Sequence, residues 1–393
     1  MRWIATCGRG LEELLERELG ELVDLRRPPG SRETGARDPG GVAFAGSFAD
    51  GLRANWRLRT ANRVLVELAS WPAADNDQLY AGARALVETA PDAYGKRDGG
   101  ATLPLAELFS PDRTFSIQAT SAHSQIRDTR WIAMKAKDGI VDAQRERFQA
   151  RSDIERSSPD VALRLRLFRD RATLLLDTSG EPLDRRGYRV SSTAAPLREQ
   201  LAAAALLASG WNGRGPVVDL MCGSGTFLAE AGAIALGLAP NRLRNLWAFE
   251  RLPGFDRELW RAIRDEPIPA PDPQVKMVGV DLAREAIVAS QRNLAAAGLL
   301  GQTDLVEGDA FAYDPPPGPG LVVANPPHGE RLVDSPELWK ELGDTLKQKY
   351  RGWKAVIFAG GATQGKLLGL KPTRRIPVWN GPLEARVLVL DLW

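Results

Sequence analysis

The sequence has 393 residues and is 44% hydrophobic, so it can bury more than one core, and the usual domain size of roughly 100–200 residues predicts two or three domains. Its two cysteines and two histidines are too few for a disulfide framework or a multi-cysteine metal site, and we expect no metal cofactor. A net charge of +2 does not by itself indicate nucleic-acid binding, and without an apolar run of roughly 18 residues or a signal peptide the sequence predicts a cytoplasmic protein.

The N-terminal part of the chain predicts a small α/β unit. A strand is predicted over Arg2–Thr6, and an amphipathic helix over residues 10–22, where five leucines share one face. Glycine- and proline-rich loops follow this helix. Four further strands are predicted over Val64–Leu68, 114–119, Val161–Arg169 and Ala172–Asp177.

A basic segment lies among these strands. Residues 113–171 contain 13 lysines and arginines against 8 acidic residues, and a long helix is predicted over Thr129–Phe148. Lys135, Lys137 and Arg145 lie on or near the polar side of this helix and are candidate contacts to RNA phosphates. Because arginine is abundant throughout the chain, a solvated surface without a ligand explains the excess equally well.

The C-terminal half predicts a second domain. A polar connector over residues 178–193 precedes an alanine- and leucine-rich helix over Ala195–Ser209. Beyond it, apolar runs alternate with helical stretches, which predicts a doubly wound, mostly parallel sheet of the Rossmann-like α/β class. The predicted strands of this sheet are Val217–Met221, Val275–Asp281, Leu321–Ala324, Lys354–Ala359 and Arg386–Leu390.

A glycine-rich loop over residues 222–226 follows the first of these strands, where doubly wound sheets bind ligands. The third glycine of a dinucleotide fingerprint is missing, because Leu228 occupies its place. An acidic residue at the strand end can meet the amino group of a methionine-like ligand, so we predict S-adenosylmethionine rather than a nicotinamide cofactor. The candidate cofactor contacts are Asp219, Cys222, Gly223, Gly225 and Thr226.

Two further carboxylates follow later strands. Asp281 can accept hydrogen bonds from both ribose hydroxyls, and Asp309 can accept from the exocyclic amine of adenine. Helix capping explains each of these acidic residues taken singly. Their order along the chain, after the glycine-rich loop, supports a cofactor site.

The turn Asn325-Pro326-Pro327-His328 directly follows the strand Leu321–Ala324. A planar exocyclic amine is a poor nucleophile because its lone pair is delocalised, and it reacts better when oxygens such as the Asn325 side chain and the Pro326 carbonyl accept its hydrogens. Two prolines hold these oxygens in place because proline fixes φ, and the His328 ring can stack on a base. The alternative is a plain Asn-Pro turn. Asn325 is also a candidate cofactor contact.

Several segments carry a resemblance to a known family. They are 325–332 (Asn-Pro-Pro-His-Gly-Glu-Arg-Leu), 169–173 (Arg-Asp-Arg-Ala-Thr), 176–181 (Leu-Asp-Thr-Ser-Gly-Glu), 186–189 (Arg-Gly-Tyr-Arg), 195–199 (Ala-Pro-Leu-Arg-Glu) and 135–142 (Lys-Ala-Lys-Asp-Gly-Ile-Val-Asp). The chain resembles class I S-adenosylmethionine-dependent methyltransferases, and more narrowly the THUMP-containing RNA guanine methyltransferases of the ribosomal large-subunit methyltransferase L group.

This resemblance implies a ferredoxin-like region over 1–55, a THUMP RNA-binding domain over 56–178 and a class I methyltransferase domain over 179–393, with a linker at about 178–193. The implied activity is methylation of the exocyclic N2 amine of a guanine in large-subunit (23S) ribosomal RNA. The aromatic-rich segment 247–256 is expected to be structural. Some members are fused to a second methyltransferase, and because this sequence ends at Trp393 we expect any second activity in another protein.

In the mechanism that we expect, the guanine is unpaired or flipped out and stacks on His328, which replaces the tyrosine usual in the group. Glu330 could accept from a ring nitrogen and Arg331 could hold a phosphate, although a loop cap and a surface ion pair explain them as well. A transfer-RNA guanine methyltransferase with a THUMP domain is the nearest alternative. Adenine or glutamine-amide methylation, or a non-catalytic RNA-binding or ribosome assembly factor, are more distant ones.

Overall fold

The structure is a computed structural model, and it describes residues 1–393 except 24–36, 39, 91–102, 194–195, 328–334, 361–363 and 381–382. The described residues form two α/β domains, each built on a seven-stranded sheet. The predicted N-terminal α/β module and the predicted doubly wound C-terminal sheet are both confirmed. None of the described helices is long and apolar enough to cross a lipid bilayer.

The first sheet has the spatial strand order β2-β3-β1-β4-β7-β6-β5. Its strands are β1 (Arg2–Cys7), β2 (Arg37–Asp38), β3 (Gly41–Ala45), β4 (Ala61–Pro72), β5 (Phe115–Ala122), β6 (Val161–Phe168) and β7 (Arg171–Asp177). β4 is hydrogen-bonded to β1 on one side and to β7 on the other, so one sheet runs through the ferredoxin-like and THUMP regions. The boundary between these regions at residues 55 and 56 stays a prediction.

The helices of this domain pack on one face of the sheet. They are α1 (Glu12–Leu22), α2 (Phe48–Arg57), α3 (Asn76–Glu88), α4 (Leu105–Leu108) and α5 (Thr129–Phe148). α5 has the bounds that the sequence predicts, because Asp128 accepts from the first free backbone N–H groups and Gln149 ends the helix in a left-handed conformation. Strand residues such as Trp3 and Leu163 share one core with the helix residue Ile140.

The second sheet has the order β10-β9-β8-β11-β12-β14-β13. Its strands are β8 (Val217–Asp219), β9 (Met277–Asp281), β10 (Thr303–Glu307), β11 (Leu321–Ala324), β12 (Lys354–Ala359), β13 (Arg374–Asn380) and β14 (Leu383–Asp391). The first five strands in this order pair in parallel, whereas β14 is antiparallel to both of its neighbours. The chain order reverses at β8, which is the topological switch point where such sheets bind ligands.

The described helices of the second domain lie before and between these strands in the chain. They are α6 (Glu199–Ala208), α7 (Thr226–Ala235), α8 (Arg257–Asp265), α9 (Arg284–Ala296), α10 (Pro336–Lys349) and α11 (Gln364–Leu367). α6 begins four residues later than the predicted start at Ala195, which lies outside the described residues. The delay has a local cause, because Arg198 is extended and its carbonyl accepts the first helical hydrogen bonds.

The aromatic-rich insertion between α7 and β9 packs against the N-terminal domain. Trp260 of α8 lies 5.5 Å from Trp56 of α2, 5.7 Å from Trp247 and 4.9 Å from Phe249, measured between ring centroids. All four rings are buried. The aromatic rings of this insertion therefore have a structural role, because they pack the two domains against each other.

Buried polar contacts also join the domains. The Arg59 guanidinium donates to the backbone oxygens of Ala233 at 3.3 Å and Leu238 at 2.8 Å, both next to the end of α7. Burial lowers the pKa of Arg59 to about 10, so this side chain stays charged at neutral pH. The Asn241 amide donates to the Asn55 backbone oxygen at 2.9 Å. The N-terminal domain thus contacts the helix that follows the glycine-rich loop.

Candidate cofactor and active site

Four polar side chains follow the carboxyl ends of neighbouring strands in the second sheet. Asp309 follows β10, Asp281 ends β9, Asp219 ends β8 and Asn325 follows β11. Because β10, β9, β8 and β11 are adjacent and parallel, these residues come to the same edge of the sheet. The motifs that follow one another along the chain therefore lie on adjacent strands, although their order across the sheet differs from their order in the chain.

The glycine-rich loop leaves β8 at this edge and leads into α7. Gly223 has φ 54° and Gly225 has φ 78°, a backbone region that side chains other than glycine adopt at a cost. A Cβ atom on Gly225 would also lie 3.1 Å from the Ser290 hydroxyl, whereas one on Gly223 would meet no atom closer than 4.0 Å. The two glycines therefore serve the turn itself, and Gly223 leaves open space beside the backbone.

Asp219 is a carboxyl group without an adequate partner among the residues that the structure describes. Asp219 is 1% exposed, and its carboxyl group accepts a long hydrogen bond from the Met221 backbone N–H at 3.4 Å. Burial raises the pKa of Asp219 to about 8, from an ordinary value of 3.8. A cationic ligand group would restore the ionised form. The amino group of S-adenosylmethionine fits this requirement.

Asn325 presents an unused acceptor. Its Oδ1 atom is buried and has no hydrogen-bond partner among the described residues. A buried polar atom left unpaired costs about 1–3 kcal/mol, so an atom of this kind indicates a site for a donor. Pro326 is buried beside it and Pro327 is half-buried, whereas His328, Glu330 and Arg331 lie outside the described residues.

A pocket with about 320 Å³ of empty volume, part of it open to solvent, joins these groups. The predicted residues that line it are Asp219, Cys222, Gly223, Thr226 and Asn325. The other described residues that line the pocket are Met221, Ser224 and Phe227, and three residues that precede α6, Thr193, Pro196 and Leu197. Gly225 is adjacent in the loop but does not line the pocket.

The other two predicted carboxylates do not line this pocket. The Asp281 carboxylate accepts from the backbone N–H of Gly223 at 2.9 Å and of Ala283 at 3.0 Å. It therefore holds the glycine loop against β9, and each oxygen keeps a second lone pair for a ligand hydroxyl. Asp309 is exposed and accepts from the Phe311 N–H at 2.9 Å, the loop contact expected of a capping residue.

Cys222 and Thr226 line the pocket with their polar atoms already engaged. The Cys222 Sγ accepts from the Ser290 hydroxyl at 3.6 Å, and burial raises the pKa of this thiol well above its ordinary value. The neutral thiol therefore lines the pocket but does not act as a nucleophile. The Thr226 hydroxyl accepts from Arg189 at 2.9 Å.

Arg189 is the residue near this site that sequence reasoning missed. Its guanidinium donates to the Ser224 hydroxyl at 2.8 Å, to the Thr226 hydroxyl and to the Glu199 carboxylate at 2.8 Å. It thereby fastens the glycine loop to the start of α6. Arg189 belongs to a segment that carries the family resemblance, but no spacing rule in the sequence predicts that this segment folds against the loop 35 residues later.

The predicted RNA contacts on α5 lie on a surface of mixed charge. Lys137 pairs with Asp138 at 2.6 Å, and Arg145 pairs with Asp142 at 3.1 Å. The Lys135 ammonium lies 5.5 Å from the ring centroid of Trp131, which is 41% exposed. The roles of these three residues stay predictions.

Comparison with known families matches three parts of the chain. Residues 2–65 match the RlmL ferredoxin-like domain, residues 99–177 match the THUMP domain, and residues 186–388 match the family described as UPF0020, RMKL-like, methyltransferase domain. The last match covers just over half of the chain and contains the whole pocket described above.

Full-length relatives agree with these matches. The Synechocystis sp. protein named "Putative RNA methyltransferase slr0064" is 33% identical over 100% of this chain and 97% of its own length. The protein named "Ribosomal RNA large subunit methyltransferase K/L" of Syntrophotalea carbinolica is 35% identical over 100% of this chain, which spans 54% of that relative. The chain thus spans nearly all of the first relative and about half of the second.

A solved structure supports S-adenosylmethionine as the cofactor. The crystal structure of SMU.472, described as "a putative methyltransferase complexed with SAH", is 26% identical, covers 100% of this chain and 98% of its own, and superposes with a TM-score of 0.83. The chain therefore belongs to the family of S-adenosylmethionine-dependent methyltransferases in which an RMKL-like catalytic domain follows an RlmL ferredoxin-like domain and a THUMP domain.

Proposed function

We propose that this protein transfers a methyl group to the exocyclic N2 amine of a guanine in large-subunit ribosomal RNA. The observation that carries the proposal is the buried Oδ1 of Asn325, which has no partner in the described part of the chain and lies in the same pocket as Asp219 and the glycine loop. The THUMP match and the names of the relatives support RNA as the substrate, and the ribosomal RNA methyltransferase name supports the class of RNA. The choice of guanine N2 rests on the Asn-Pro-Pro motif and its resemblance.

S-adenosylmethionine supplies an electrophilic methyl group on a sulfonium when it is bound. The protein's part is to bind and orient the two reactants in a desolvated site. Asp219 would hold the ligand ammonium, and Asn325 Oδ1 would accept a hydrogen of the guanine amine. This hydrogen bond localises the nitrogen lone pair, which forms the new bond to carbon as the carbon–sulfur bond breaks. The surplus proton then leaves to solvent.

The base must be presented from outside a duplex, because Asn325 Oδ1 is buried and a paired guanine cannot reach it. We propose that the target guanine is flipped into the pocket and stacks on His328, with Glu330 and Arg331 contacting the ring and a phosphate. These three residues lie three to six positions after Asn325 in the sequence.

The test is transfer of labelled methyl from S-adenosylmethionine to undermodified large-subunit ribosomal RNA and, separately, to bulk transfer RNA, followed by nucleoside analysis. We expect N2-methylguanosine from ribosomal RNA alone. Label in transfer RNA would favour the transfer-RNA enzyme instead, and methyladenosine would contradict the base assignment. No label in either RNA, with cofactor bound, would favour a non-catalytic RNA-binding factor.

A further inference from the structure

The seven-stranded N-terminal sheet has a second face that the described helices do not cover. Strand residues alternate between the two faces, and the main core, which includes helix residues such as Leu15 and Ile140, takes one set of them. The other set forms a separate small apolar cluster of strand residues only, Ile4, Leu65 and Leu175 with Ala43 packed against it. We call this second side of the sheet the open face.

The open face is strongly basic. On strands β1, β4, β6 and β7 it carries five arginines and two carboxylates, a net charge of +3, with registers that place them between the core-facing positions. The arginines are Arg2, Arg63, Arg164, Arg166 and Arg171, and the carboxylates are Glu67 and Asp177.

Both carboxylates are already paired within the face. Glu67 is bonded to Arg2, and Asp177 accepts from Arg63 at 2.6 Å and from Arg164 at 2.8 Å. Asp177 is 1% exposed, so it acts as a buried counter-ion beneath two partly exposed guanidinium groups. The surface that a ligand meets is therefore positive, which favours a polyanion.

An aromatic ring lies at the end of the open face. Phe168, the last residue of β6, is half-exposed, and the guanidinium groups of Arg166 and Arg169 lie over its ring, with their carbons 5.3 and 5.2 Å from the ring centroid. His123 contacts the edge of the same ring, with the centroids 5.6 Å apart. A nucleobase can stack on this cluster of an aromatic ring and planar guanidinium groups while the cations hold the adjoining phosphates.

The open face leads to the catalytic domain at its other end. A cleft with about 970 Å³ of empty volume lies between Arg63 and Arg164 of the sheet and residues 246–248 of the aromatic-rich insertion. Arg251 fastens this insertion to the N-terminal domain by donating to the backbone oxygen of Ser158 at 2.9 Å. Arg164 and Phe168 are four residues apart on β6, about 13 Å in a strand, a span of roughly two nucleotides.

We propose that the open face binds a single-stranded segment of the substrate RNA, with a base on Phe168 and phosphates along the arginines toward the cleft. The proposal rests on RNA being the substrate of the methyltransferase. It assigns RNA binding to the side of the sheet opposite α5, and a sheet surface with an exposed aromatic ring suits single strands rather than duplexes, since stacking needs an unpaired base.

The experiment measures binding of a fluorescein-labelled 12-nucleotide single-stranded RNA, and of a duplex of the same length, by fluorescence anisotropy over a range of salt concentrations. The variants are Phe168→Ala, at a half-exposed position, and the double charge reversal Arg169→Glu/Arg171→Glu, at exposed positions of or next to the face. The matched control is Arg351→Glu/Arg375→Glu, which makes the same change in net charge at exposed positions of the catalytic domain.

We expect Phe168→Ala to weaken single-strand binding about tenfold and to change duplex binding little, because stacking contributes about 1–3 kcal/mol per base. The double reversal should lower the slope of log affinity against log salt by about 1.4, the value for two lost phosphate contacts on a single strand. The control should retain both the affinity and the slope.

Equal binding of single strand and duplex, with no effect of Phe168→Ala, would overturn the proposal. So would a loss of binding only in the α5 variant Lys135→Glu/Arg145→Glu. Because the readout is binding, it is separate from catalysis. Failure here with normal methyl transfer to RNA would leave the proposed function standing, whereas single-strand binding without any methyl transfer would contradict the proposed function alone.

Discussion

Asp219→Asn tests the electrostatic state of the cofactor pocket. Asparagine has the shape of aspartate and keeps an oxygen for the Met221 N–H, but it does not ionise. Burial raises the pKa of Asp219 to about 8 in the folded protein, against 3.8 ordinarily. The folded state therefore binds one proton more than the unfolded chain between about pH 4 and pH 8.

The sign and size of the stability effect follow from this proton. The contribution of Asp219 to the free energy of unfolding is fully present below about pH 4 and is lost as the pH rises through about 8. Within this window the free energy of unfolding of the wild type should fall, relative to Asp219→Asn, by up to about 1.4 kcal/mol per pH unit. Without cofactor, the variant should thus be the more stable protein at neutral pH.

The affinity for the cofactor should also depend on the protonation of Asp219. Between pH 6 and 7 the ligand amine is cationic and stabilises the Asp219 carboxylate, so binding competes with protonation. The affinity for S-adenosylhomocysteine should rise up to tenfold per pH unit, and at pH 7 binding should release about 0.9 proton from a group with a pKa of about 8. Asp219→Asn should release none and should bind more weakly.

Urea unfolding at pH 5 to 8 gives the free energy of unfolding of the wild type and of Asp219→Asn. Calorimetric titration with S-adenosylhomocysteine in two buffers of different ionisation enthalpy gives the proton count. Parallel stability curves for the two proteins, together with binding that releases no proton, would refute the reasoning, since Asp219 would then be ionised in the empty pocket.

Three further variants test the remaining roles. Asn325→Ala should lower turnover about 100- to 1,000-fold and leave the affinity for S-adenosylhomocysteine nearly unchanged; loss of cofactor binding would instead assign Asn325 to the cofactor. Arg189→Met should weaken cofactor binding and lower the free energy of unfolding by about 3 kcal/mol, because it leaves Glu199 buried and unpaired. Adding Glu199→Gln should restore stability but not affinity, and recovery of both would show that Arg189 has no positioning role. Trp260→Ala should cost about 3–5 kcal/mol in urea unfolding, against a smaller loss for Trp260→Phe, and an unchanged stability would contradict the role of the aromatic cluster in joining the domains.

The sequence was most informative where local chemistry decides structure. α5 has the predicted bounds because Asp128 and the residues around it contain their own helix signals. The buried strands β11 and β12 were equally clear, since runs of four and five consecutive apolar residues need burial on both faces. The elements that were not predicted, such as β3 and the edge strand β13, are short or interrupted by glycine or proline, and they depend on their neighbours.

The sequence by itself determined the order of the site. Asp219, the two loop glycines and Asn325 reach one sheet edge because parallel strands in a doubly wound sheet present their carboxyl ends together. Only the tertiary structure decided their electrostatic state and their support. The raised pKa of Asp219 comes from burial, and the role of Arg189 comes from a segment folded back on the loop, which are properties of packing between residues distant in the chain.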